Sequence, residues 1–279
     1  MAYHRKLQFD IGAGGIGLRI SDLQMSFNVE RHVDLSSNSA QFIIYNAKEQ
    51  TRKEILKNGN NIIFKAGYED ENTFFGTVFI GTVISSRSYK AGSDWITEIE
   101  GGDIGNNQQK LTYQIVSLSY VSRTPLSLII LDVVSILNVP VFGIENVTTI
   151  LNNGFVYSGT IGGAIKKIKQ ILNTNDVNLY FDNGEMVIYR LGDQNSRFGI
   201  VRLTQKNGLV GTPQDITDED KQDDKKRISF SSLLNAKIKP NTIININSNT
   251  INGTFIVEKA NFIGDNFGGD FLCNGEAIE

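Results

Sequence analysis

The sequence predicts a mainly β protein of the α+β class, in which two related β units flank a small α/β module. Three observations predict this class. The strand-rich stretch at residues 58–103 returns in condensed form near the C-terminus. The 27 glycines and only 4 prolines favour strands joined by turns. Amphipathic helical spacing is concentrated in the middle of the chain, at about residues 106–190.

The repeat consists of landmarks that occur twice in the same order. The first set is Asn60-Asn61-Ile62-Ile63, Gly76-Thr77-Val78, Asp94-Trp95 and Glu100. The second set is Asn241-Thr242-Ile243-Ile244, Gly253-Thr254-Phe255, Asp270-Phe271 and Glu276. In both sets an apolar strand leads to a strand that begins with Gly-Thr, and a third strand begins at an aspartate followed by an aromatic residue. Each pattern alone is common, so their shared order is what indicates a duplicated β unit.

A glycine-rich segment at residues 12–17 precedes the first alternating strand pattern. Close-set glycines can form a dinucleotide-binding turn, but that motif needs a strand before it and a helix after it. Alternating apolar residues follow here instead, at Leu23, Met25, Phe27 and Val29. The segment is therefore interpreted as a turn that enters a strand. Another strand with the same period follows at Ala40, Phe42 and Ile44.

One short helix is predicted inside the first β unit, at residues 47–56. Asn46 and Glu49 have the spacing of a capping box, and Asn58-Gly59 is a helix stop signal. Extended chain then resumes, with Phe64 and Ala66 on one strand face. Turns are expected at residues 67–70 and 90–93, on either side of a long strand at residues 74–88.

The strand at residues 95–100 carries two closely spaced carboxylates. Trp95, Thr97 and Ile99 are expected on one face, with Ile96, Glu98 and Glu100 on the other. Two carboxylates could form a glycosidase pair, but that chemistry needs them opposed across a cleft. Glu98 and Glu100 are neighbours along one strand. They are therefore interpreted as a solvated or partner-facing surface.

Two amphipathic helices are predicted in the middle module. Thr124-Pro125 has the form of an N-cap followed by proline at the first helical position, and the helix should end before Pro140. A second helix should begin near Thr160, with an apolar stripe at Ile161, Ala164, Ile165, Ile168, Ile171 and Leu172. Its other face carries Lys166, Lys167 and Lys169. Ordinary solvated surface is the preferred interpretation of these lysines, and an acidic partner or nucleic acid is the alternative.

A hairpin is predicted after the second helix, because Asn183-Gly184 lies between two runs of alternating apolar residues. Strands resume near Ile200 and continue to Glu276. They are interrupted at residues 214–227, which are almost devoid of apolar side chains and are expected to form a mobile charged loop. Its aspartates could suggest calcium, but the loop lacks the glycine and terminal glutamate of an EF-hand.

The remaining inventory offers little for catalysis or for nucleic-acid binding. The net charge is −3, so no broad basic field surrounds the chain. The two histidines, His4 and His32, show no zinc-ligand spacing with cysteine, and Gly-x-Ser-x-Gly and Walker motifs are absent. Cys273 is the single cysteine and is expected to be a buried apolar side chain. No secretory signal or membrane span is expected. We therefore predict no catalytic, cofactor-binding or metal-binding residues.

The ordered set of motifs resembles the hub proteins at the centre of phage tail baseplates, including the hub portion of type VI secretion spike proteins. The resemblance covers essentially the whole chain, although no single motif is diagnostic. Its motifs are Ile43-Ile44-Tyr45-Asn46, Thr51-Arg52, Ala66-Gly67-Tyr68, Asp94-Trp95-Ile96-Thr97, Asn207-Gly208-Leu209-Val210-Gly211-Thr212-Pro213, Leu233-Leu234-Asn235, Ile238-Lys239-Pro240, Ile251-Asn252-Gly253 and Gly268-Gly269-Asp270-Phe271.

The resemblance implies two tail-tube-like β-barrel domains, at residues 1–105 and 191–279, around an α/β module at residues 106–190. It also implies a homotrimer that forms a pseudo-sixfold ring between the hexameric tail tube and the threefold spike. Expected partners are the tail tube protein, the central spike protein and other baseplate or tape-measure proteins. DNA would pass through a polar lumen during genome ejection, without membrane insertion. A carbohydrate- or receptor-binding β-protein of a virion is the alternative.

The expected location is the virion tail, at the baseplate, after assembly in the host cytoplasm. No enzyme activity and no cofactor are expected. This chain has only the short middle module, so cell-wall cleavage or membrane piercing is expected to belong to a separate spike polypeptide.

Overall fold

The computed structural model describes residues 4–13, 16–57, 59–69, 74–104, 107–190, 199–216 and 226–279. Strands predominate, so the predicted mainly β class is confirmed. The chain divides into two compact units. One comprises Met1–Val33, Asn38–Gly102 and Gln194–Glu279, and the other comprises Asp34–Ser37 and Asp103–Asp193.

The described residues of the N-terminal part of the first unit form seven strands and one helix. In chain order these are β1 (Arg5–Ala13), β2 (Ile16–Ile20), β3 (Met25–His32), β4 (Ser39–Tyr45), α1 (Glu49–Ile55), β5 (Asn61–Tyr68), β6 (Gly76–Ala91) and β7 (Asp94–Gly102). Apolar residues alternate with polar ones along β3 and β4, and every second residue is buried. One face of these strands therefore packs against the core, and the other face points away from it.

In the second unit, the part of the chain that the structure describes forms three helices, a 3₁₀ turn and seven short strands. They are α2 (Asn107–Tyr113), β8 (Ile115–Tyr120), β9 (Thr124–Pro125), α3 (Leu126–Leu137), β10 (Val141–Phe142), the 3₁₀ turn Ile144–Asn146, β11 (Ile150–Leu151), β12 (Phe155–Thr160), α4 (Ile161–Asn173), β13 (Val177–Asp182) and β14 (Glu185–Arg190). Its core lies between the apolar stripes of α3 and α4 and the β13–β14 hairpin. The unit thus has a core of its own.

Residues 199–216 and 226–279, the described C-terminal part of the first unit, form six strands. They are β15 (Ile200–Thr204), β16 (Leu209–Ile216), β17 (Arg227–Leu233), β18 (Ile243–Asn247), β19 (Asn252–Asp265) and β20 (Phe271–Ile278). The buried residues of these strands and those of β1–β7 form one continuous apolar cluster. The first unit is therefore held by a single core that both parts share.

The strands of the first unit form one 13-stranded sheet. Its main path runs β16-β17-β20-β19-β3-β4-β7-β6-β5-β1-β2, and β18 and β15 branch from β19. The two halves are joined where β19 pairs antiparallel with β3, from Lys259 opposite His32 to Asp265 opposite Ser26. Among the described residues, the paired strands named here do not close into a barrel.

The duplication predicted from the sequence is confirmed by the order of strand pairing. The first copy, β2–β7, pairs in the order β3-β4-β7-β6-β5. The second copy, β15–β20, pairs in the order β16-β17-β20-β19-β18. The first copy has an additional strand, β1, between β5 and β2, whereas β18 pairs directly with β15. The second copy is therefore the shorter version of the same topology.

The two copies also share their register. The pairing of β6 with β7 slips between Val83 and Ser85, and the next pair is Ser85 opposite Glu100. The pairing of β19 with β20 slips between Val257 and Lys259, and the next pair is Lys259 opposite Glu276. A β-bulge interrupts the ladder at the same place in both copies. The landmark glutamates Glu100 and Glu276 are consequently structural equivalents.

The predicted capping box at the start of α1 is wrong. Helix α1 begins at Glu49, its N-cap is Lys48, and no side chain caps it. Asn46 has a left-handed φ of 53°. Its side-chain oxygen accepts a hydrogen bond from the Trp95 backbone nitrogen at 3.0 Å, and its side-chain nitrogen donates to Asp94 Oδ1 at 3.1 Å. Tertiary pairing with β7 therefore takes the side chain that the local pattern assigned to the helix. Of the predicted stop signal Asn58-Gly59, Asn58 lies outside the described residues.

Two further boundaries differ from the sequence prediction. The N-cap of α3 is Pro125, not Thr124, and the helix ends at Leu137 because Asn138 adopts a left-handed conformation before Pro140 is reached. Strand β5 continues through Tyr68, so the turn predicted from residue 67 begins later. Asp70, the last residue of that predicted turn, lies outside the described residues.

Strands also extend into both ends of the loop predicted at residues 214–227. Strand β16 continues through Ile216 and β17 begins at Arg227. Glu279 donates its backbone N–H to the Lys226 carbonyl, so backbone pairing continues one residue before β17. Residues 217–225, which form the middle of that loop, lie outside the described residues. The prediction of a mobile loop therefore applies only to that middle part.

Several predictions in the second unit are confirmed. The hydroxyl of Thr160 accepts a hydrogen bond from the Gly163 backbone nitrogen and caps α4. The predicted apolar stripe of α4 is buried except for Ile171, which is partly exposed. Asn183 and Gly184 both have positive φ and connect β13 to β14, as expected for a type I′ hairpin.

Candidate functional surface

One face of the long sheet is polar across both copies. We name it the polar face and define it by Asn28, Glu30, Gln41, Ser85, Arg87, Glu98, Glu100, Gln214, Ser229, Ser231, Lys259, Asn261, Asn274 and Glu276. In the first copy, Asn28, Gln41, Glu100 and Ser85 lie directly opposite one another on four adjacent strands. In the second copy, Gln214, Ser229, Glu276 and Lys259 form the equivalent row.

The opposite face of the same strands is apolar and buried. Phe42 and Ile99 in the first copy and Phe230 and Phe262 in the second copy are at most 3% exposed. Because successive residues of a strand point to opposite faces, burying this apolar set leaves the polar set at the surface. The sequence prediction that Thr97 and Ile99 share one face and that Glu98 and Glu100 share the other is confirmed.

Carboxylates on the polar face are bound by neighbouring side chains. Glu98 accepts hydrogen bonds from Arg87 and from the Tyr89 hydroxyl, the latter at 2.7 Å. The Arg87 guanidinium, followed by the Tyr89 hydroxyl, holds the pKa of Glu98 below its ordinary value. The same hydrogen bond raises the pKa of Tyr89. Glu98 is therefore ionised near neutral pH.

The equivalent positions in the two copies use similar chemistry. Ser85 donates to Glu100 at 2.7 Å, and Lys259 forms an ion pair with Glu276 at 2.9 Å. The next pair of positions differs between the copies. Ser231 donates to Asn274 at 2.7 Å in the second copy, whereas the equivalent residues of the first copy are Ile43 and Glu98. Along the polar face, the carboxylates Glu30, Glu98, Glu100 and Glu276 outnumber the cations Arg87 and Lys259. The surface is hydrophilic and is not basic.

Both copies present a shallow trough on this face. The first is lined by residues of β3, β4, β6 and β7, including Asn28, Arg87 and Glu98. The second is lined by residues of β16, β17, β20, β19 and β3, including Ser229, Lys259 and Asn274. The troughs thus lie at equivalent places in the repeat. Both troughs lie on the polar face.

Unpaired strand edges occur in both copies, in the part of the chain that the structure describes. Strand β6 pairs with β5 only as far as Thr82, so residues 84–91 have a neighbour, β7, on one side alone. Strand β16 pairs only with β17. Unpaired edges can add a strand from another chain. Each copy therefore has an open edge of this kind, at β6 in the first and at β16 in the second, in addition to the outer edges of β2 and β15.

The carboxylates Glu98 and Glu100 lie on the polar face, and the single cysteine, Cys273, lies on the buried face. The structure brings Glu98 and Glu100 together with Arg87, Tyr89 and Ser85 along the sheet surface, as the surface interpretation expected. Cys273 is fully buried, as predicted, and burial raises the pKa of its thiol. Within the described ranges, no cluster of three or more His, Cys, Asp or Glu residues could hold a metal ion. No helix in that part of the chain has the length and apolarity needed to cross a bilayer.

Comparison with known proteins identifies the family. The family model described as Baseplate hub gp41 matches residues 9–277. The chain belongs to this baseplate hub family. The resemblance drawn from the ordered sequence motifs is thereby confirmed. This hub protein is accordingly a structural component of a phage tail or of a related assembly, in a class that is not normally enzymatic.

Solved structures share the fold of the hub protein at very low sequence identity. The tail protein from Neisseria meningitidis MC58 aligns with a TM-score of 0.70 and 10% identity, over 98% of this chain and 96% of that one. The 43 kDa tail protein of prophage MuSo2 from Shewanella oneidensis aligns with a TM-score of 0.66 and 11% identity, over 98% and 96%. The E. coli c3393 protein aligns with a TM-score of 0.60 and 8% identity, over 96% and 76%. No curated protein sequence matches the chain.

Sequence reasoning missed several elements and one long-range contact. Helix α2 and the β8–β12 pair were not predicted, because Asn107–Tyr113 has no strong apolar stripe. The pairing of β19 with β3 was also missed, although the alternating pattern of Phe27 and Val29 was recognised. Backbone hydrogen bonds form this contact, so only the three-dimensional arrangement reveals it.

Proposed function

We propose that this hub protein acts as a homotrimer that forms a pseudo-sixfold ring between a hexameric tail tube and a threefold spike. The observation that carries the proposal is the repeat of one strand order and one bulge position within a single chain. Three chains with two similar units each supply six similar units around an axis. Such a ring matches sixfold symmetry on one side while keeping threefold symmetry on the other.

Each copy would then be one tube-like barrel, with residues 1–105 and 191–279 as the two barrel domains and residues 106–190 as the intervening module. The second copy supports this proposal, because an isolated bridge between Thr204 and Gly208 brings the end of β15 to the start of β16. These are the two outermost strands of that copy. Contact between the outermost strands is the geometry that closes a sheet on itself.

The polar face is the proposed lining of the channel through which the genome is ejected. Its hydrogen-bonded carboxylates and amides make the surface hydrophilic, and its negative charge disfavours contact with phosphate groups. DNA would therefore slide past this lining without being retained. No catalytic step is assigned to it.

The proposed partners are further copies of this chain, the tail tube protein, the central spike protein and other baseplate or tape-measure proteins. The E. coli c3393 protein, which shares the fold, is described as a component of the type VI secretion system with structural similarity to phage T4 tail proteins gp27 and gp5. This likeness supports placement next to a tube and a spike. The chain would be assembled in the host cytoplasm and would function in the virion tail.

Electron cryomicroscopy of the intact particle tests the proposal. The expected map contains three copies of this chain, with six similar β domains around the tail axis and Glu98, Glu100 and Glu276 facing the channel. One chain per particle, or a ring in which the apolar face points inward, would contradict it.

A further inference from the structure

We propose that the unpaired end of β6 in one chain pairs antiparallel with the unpaired edge of β16 in the next chain. This inference rests on the proposed ring and names the strands that form its subunit interface. The partner is a second copy of this chain, and the contact is β-sheet addition at an edge. The template for the contact lies inside the chain itself.

The template is the internal joint, which we define as the pairing of residues 259–265 of β19 with residues 26–32 of β3. Residues 259–265 follow the bulge of the second copy. Their equivalents in the first copy are residues 85–91 of β6, which follow the bulge there. We call these two stretches the post-bulge segments. One of them is paired on both sides, and the other is paired only with β7.

The strand opposite the internal joint also has an equivalent in the other copy. Met25 at the start of β3 lies opposite Ile44, which lies opposite Thr97. Leu209 at the start of β16 lies opposite Ser232, which lies opposite Cys273. Strands β3 and β16 are thus the same strand of the repeat. The first accepts a post-bulge segment, and the second has a free edge on that side in the described structure.

Transferring the internal register to the free edges predicts which residues meet. In the internal joint, Ile263 lies opposite Asn28 and Asn261 lies opposite Glu30. Tyr89 is the equivalent of Ile263, and Gln214 is the equivalent of Asn28. The register therefore places Tyr89 opposite Gln214. By the same transfer, Arg87 lies opposite Ile216 and Ser88 lies opposite Asp215. These pairs lie beyond the irregular stretch of β16 at residues 211–213.

The transferred register keeps the faces of the sheet consistent. Tyr89, Arg87 and Gln214 would all lie on the polar face, so that face would continue from one chain to the next. A register shifted by one residue would place Gln214 beside Ser88 and turn the polar residues of one strand towards the core side. Continuity of the faces therefore excludes a shift by one residue, and the internal joint is the template for the register proposed here.

The geometry of the contact explains why it produces a closed assembly. The contact joins two different edges, one on each copy, so it is heterologous and repeats from chain to chain. If it has the same shape as the internal joint, internal and intermolecular joints alternate around a ring of equivalent units. Three chains then contain three joints of each kind. The contact uses the open edges of β6 and β16 in every chain.

Paired cysteines test this register in assembled baseplates. Residues directly opposite in antiparallel strands have Cα atoms about 4.5–5.5 Å apart, which is within disulfide range. The double variant Tyr89→Cys/Gln214→Cys should therefore give covalent dimers and trimers on a non-reducing denaturing gel, and each single variant should not. Cys273 is fully buried, so it should contribute little background disulfide formation.

The internal joint provides the matched control. Asn28→Cys/Ile263→Cys occupies the equivalent positions within one chain, so it should form a disulfide without any increase in mass. Ser88→Cys/Gln214→Cys is the slipped control and should remain unlinked. Rings that contain three chains, show the internal disulfide and lack the Tyr89–Gln214 disulfide would overturn this inference while leaving the proposed function intact. Particles with one chain would overturn both.

A measurement on the unmodified protein covers the case in which the cysteine variants do not assemble. Carbodiimide should join Lys90 to Asp215 of the neighbouring chain, because the register makes them diagonal neighbours. Rings assembled from isotopically labelled and unlabelled chains distinguish links between chains from links within one. The Lys259–Glu276 ion pair, at 2.9 Å, serves as the internal standard for the reaction. Finding that standard link without the Lys90–Asp215 link would contradict the proposed register.

Discussion

The two post-bulge segments have the same place in the repeat but different environments. In the second copy, Phe262 is fully buried, opposite Val29 across the internal joint and opposite Cys273 on the other side. In the first copy, the equivalent residue is Ser88, which faces Thr97 and has no strand on its other side in the described structure. The same strand of a duplicated unit can therefore pack in the core in one copy and form an open edge in the other.

The landmark aromatic residues follow the same division. Phe271 is 2% exposed and packs edge-on against Phe27 and Tyr68. Its equivalent, Trp95, is 38% exposed and lies under the guanidinium of Arg52, which is 3.6 Å from the ring centroid. The extra helix α1 of the first copy thus covers a ring that the second copy buries in the shared core. The two copies therefore share their strand order but differ in the residues that pack over the equivalent aromatic rings.

Removing the Phe262 side chain tests the largest difference between the copies. Phe262→Ala should lower the free energy of unfolding by about 3–5 kcal/mol, because it opens a cavity where the internal joint meets the core. The matched substitution Ser88→Ala should lower it by only about 1 kcal/mol, since it removes one partly buried hydrogen bond between Ser88 and Thr97. Urea unfolding of both variants provides the measurement. Equal losses would show that the two segments are packed alike in the isolated chain.

A methyl group added at Gly275 tests a smaller difference. Gly275 is the equivalent of Ile99, but a Cβ at Gly275 would lie 2.4 Å from the Phe230 ring and 3.0 Å from the Lys259 carbonyl oxygen. Gly275→Ala should therefore cost about 1–3 kcal/mol of stability. Gly268→Ala is the control, because a Cβ there meets nothing within 4 Å. A stability loss at Gly268 as large as that at Gly275 would refute the packing argument.

The pH dependence of stability tests the smallest difference, on the polar face. Glu98 has a lowered pKa because of Arg87 and Tyr89, whereas its equivalent in the second copy is the non-ionisable Asn274. The contribution of Glu98 is complete above its unfolded pKa of about 4.3 and is lost as the pH falls through its lower folded value. The stability difference between the wild type and Glu98→Gln should therefore shrink in that acidic range.

Asn274→Gln serves as the control for this measurement. Its effect on unfolding free energy should not change with pH over the same range, because neither side chain titrates. Chemical unfolding monitored at several pH values between neutral and acidic conditions gives both differences. A Glu98→Gln difference that stays constant as the pH falls would mean that the ion pair with Arg87 contributes no stability.

Local sequence patterns predicted much of the fold correctly. Alternation identified the buried faces of β3 and β4, Asn183-Gly184 identified a hairpin, and the helical spacing of apolar residues identified α4 and its start near Thr160. Local signals failed where tertiary contacts competed for the same side chain. Asn46 matched a capping box, yet it binds the backbone of Trp95 instead. The polar face could be predicted only in part, because Glu98 and Glu100 were recognised without their partners on other strands.

The sequence by itself indicated the duplication, the mainly β class and the faces that side chains occupy along β3, β4 and β7. These properties depend on residue order and on the period of two along a strand, which are local. Only the tertiary structure decided that β19 pairs with β3 and that β6 and β16 are left with open edges. Strand pairing uses backbone groups that every residue carries, and it joins segments more than two hundred residues apart. Residue patterns therefore specify the strands, whereas the folded backbone specifies which strand edges remain available to another chain.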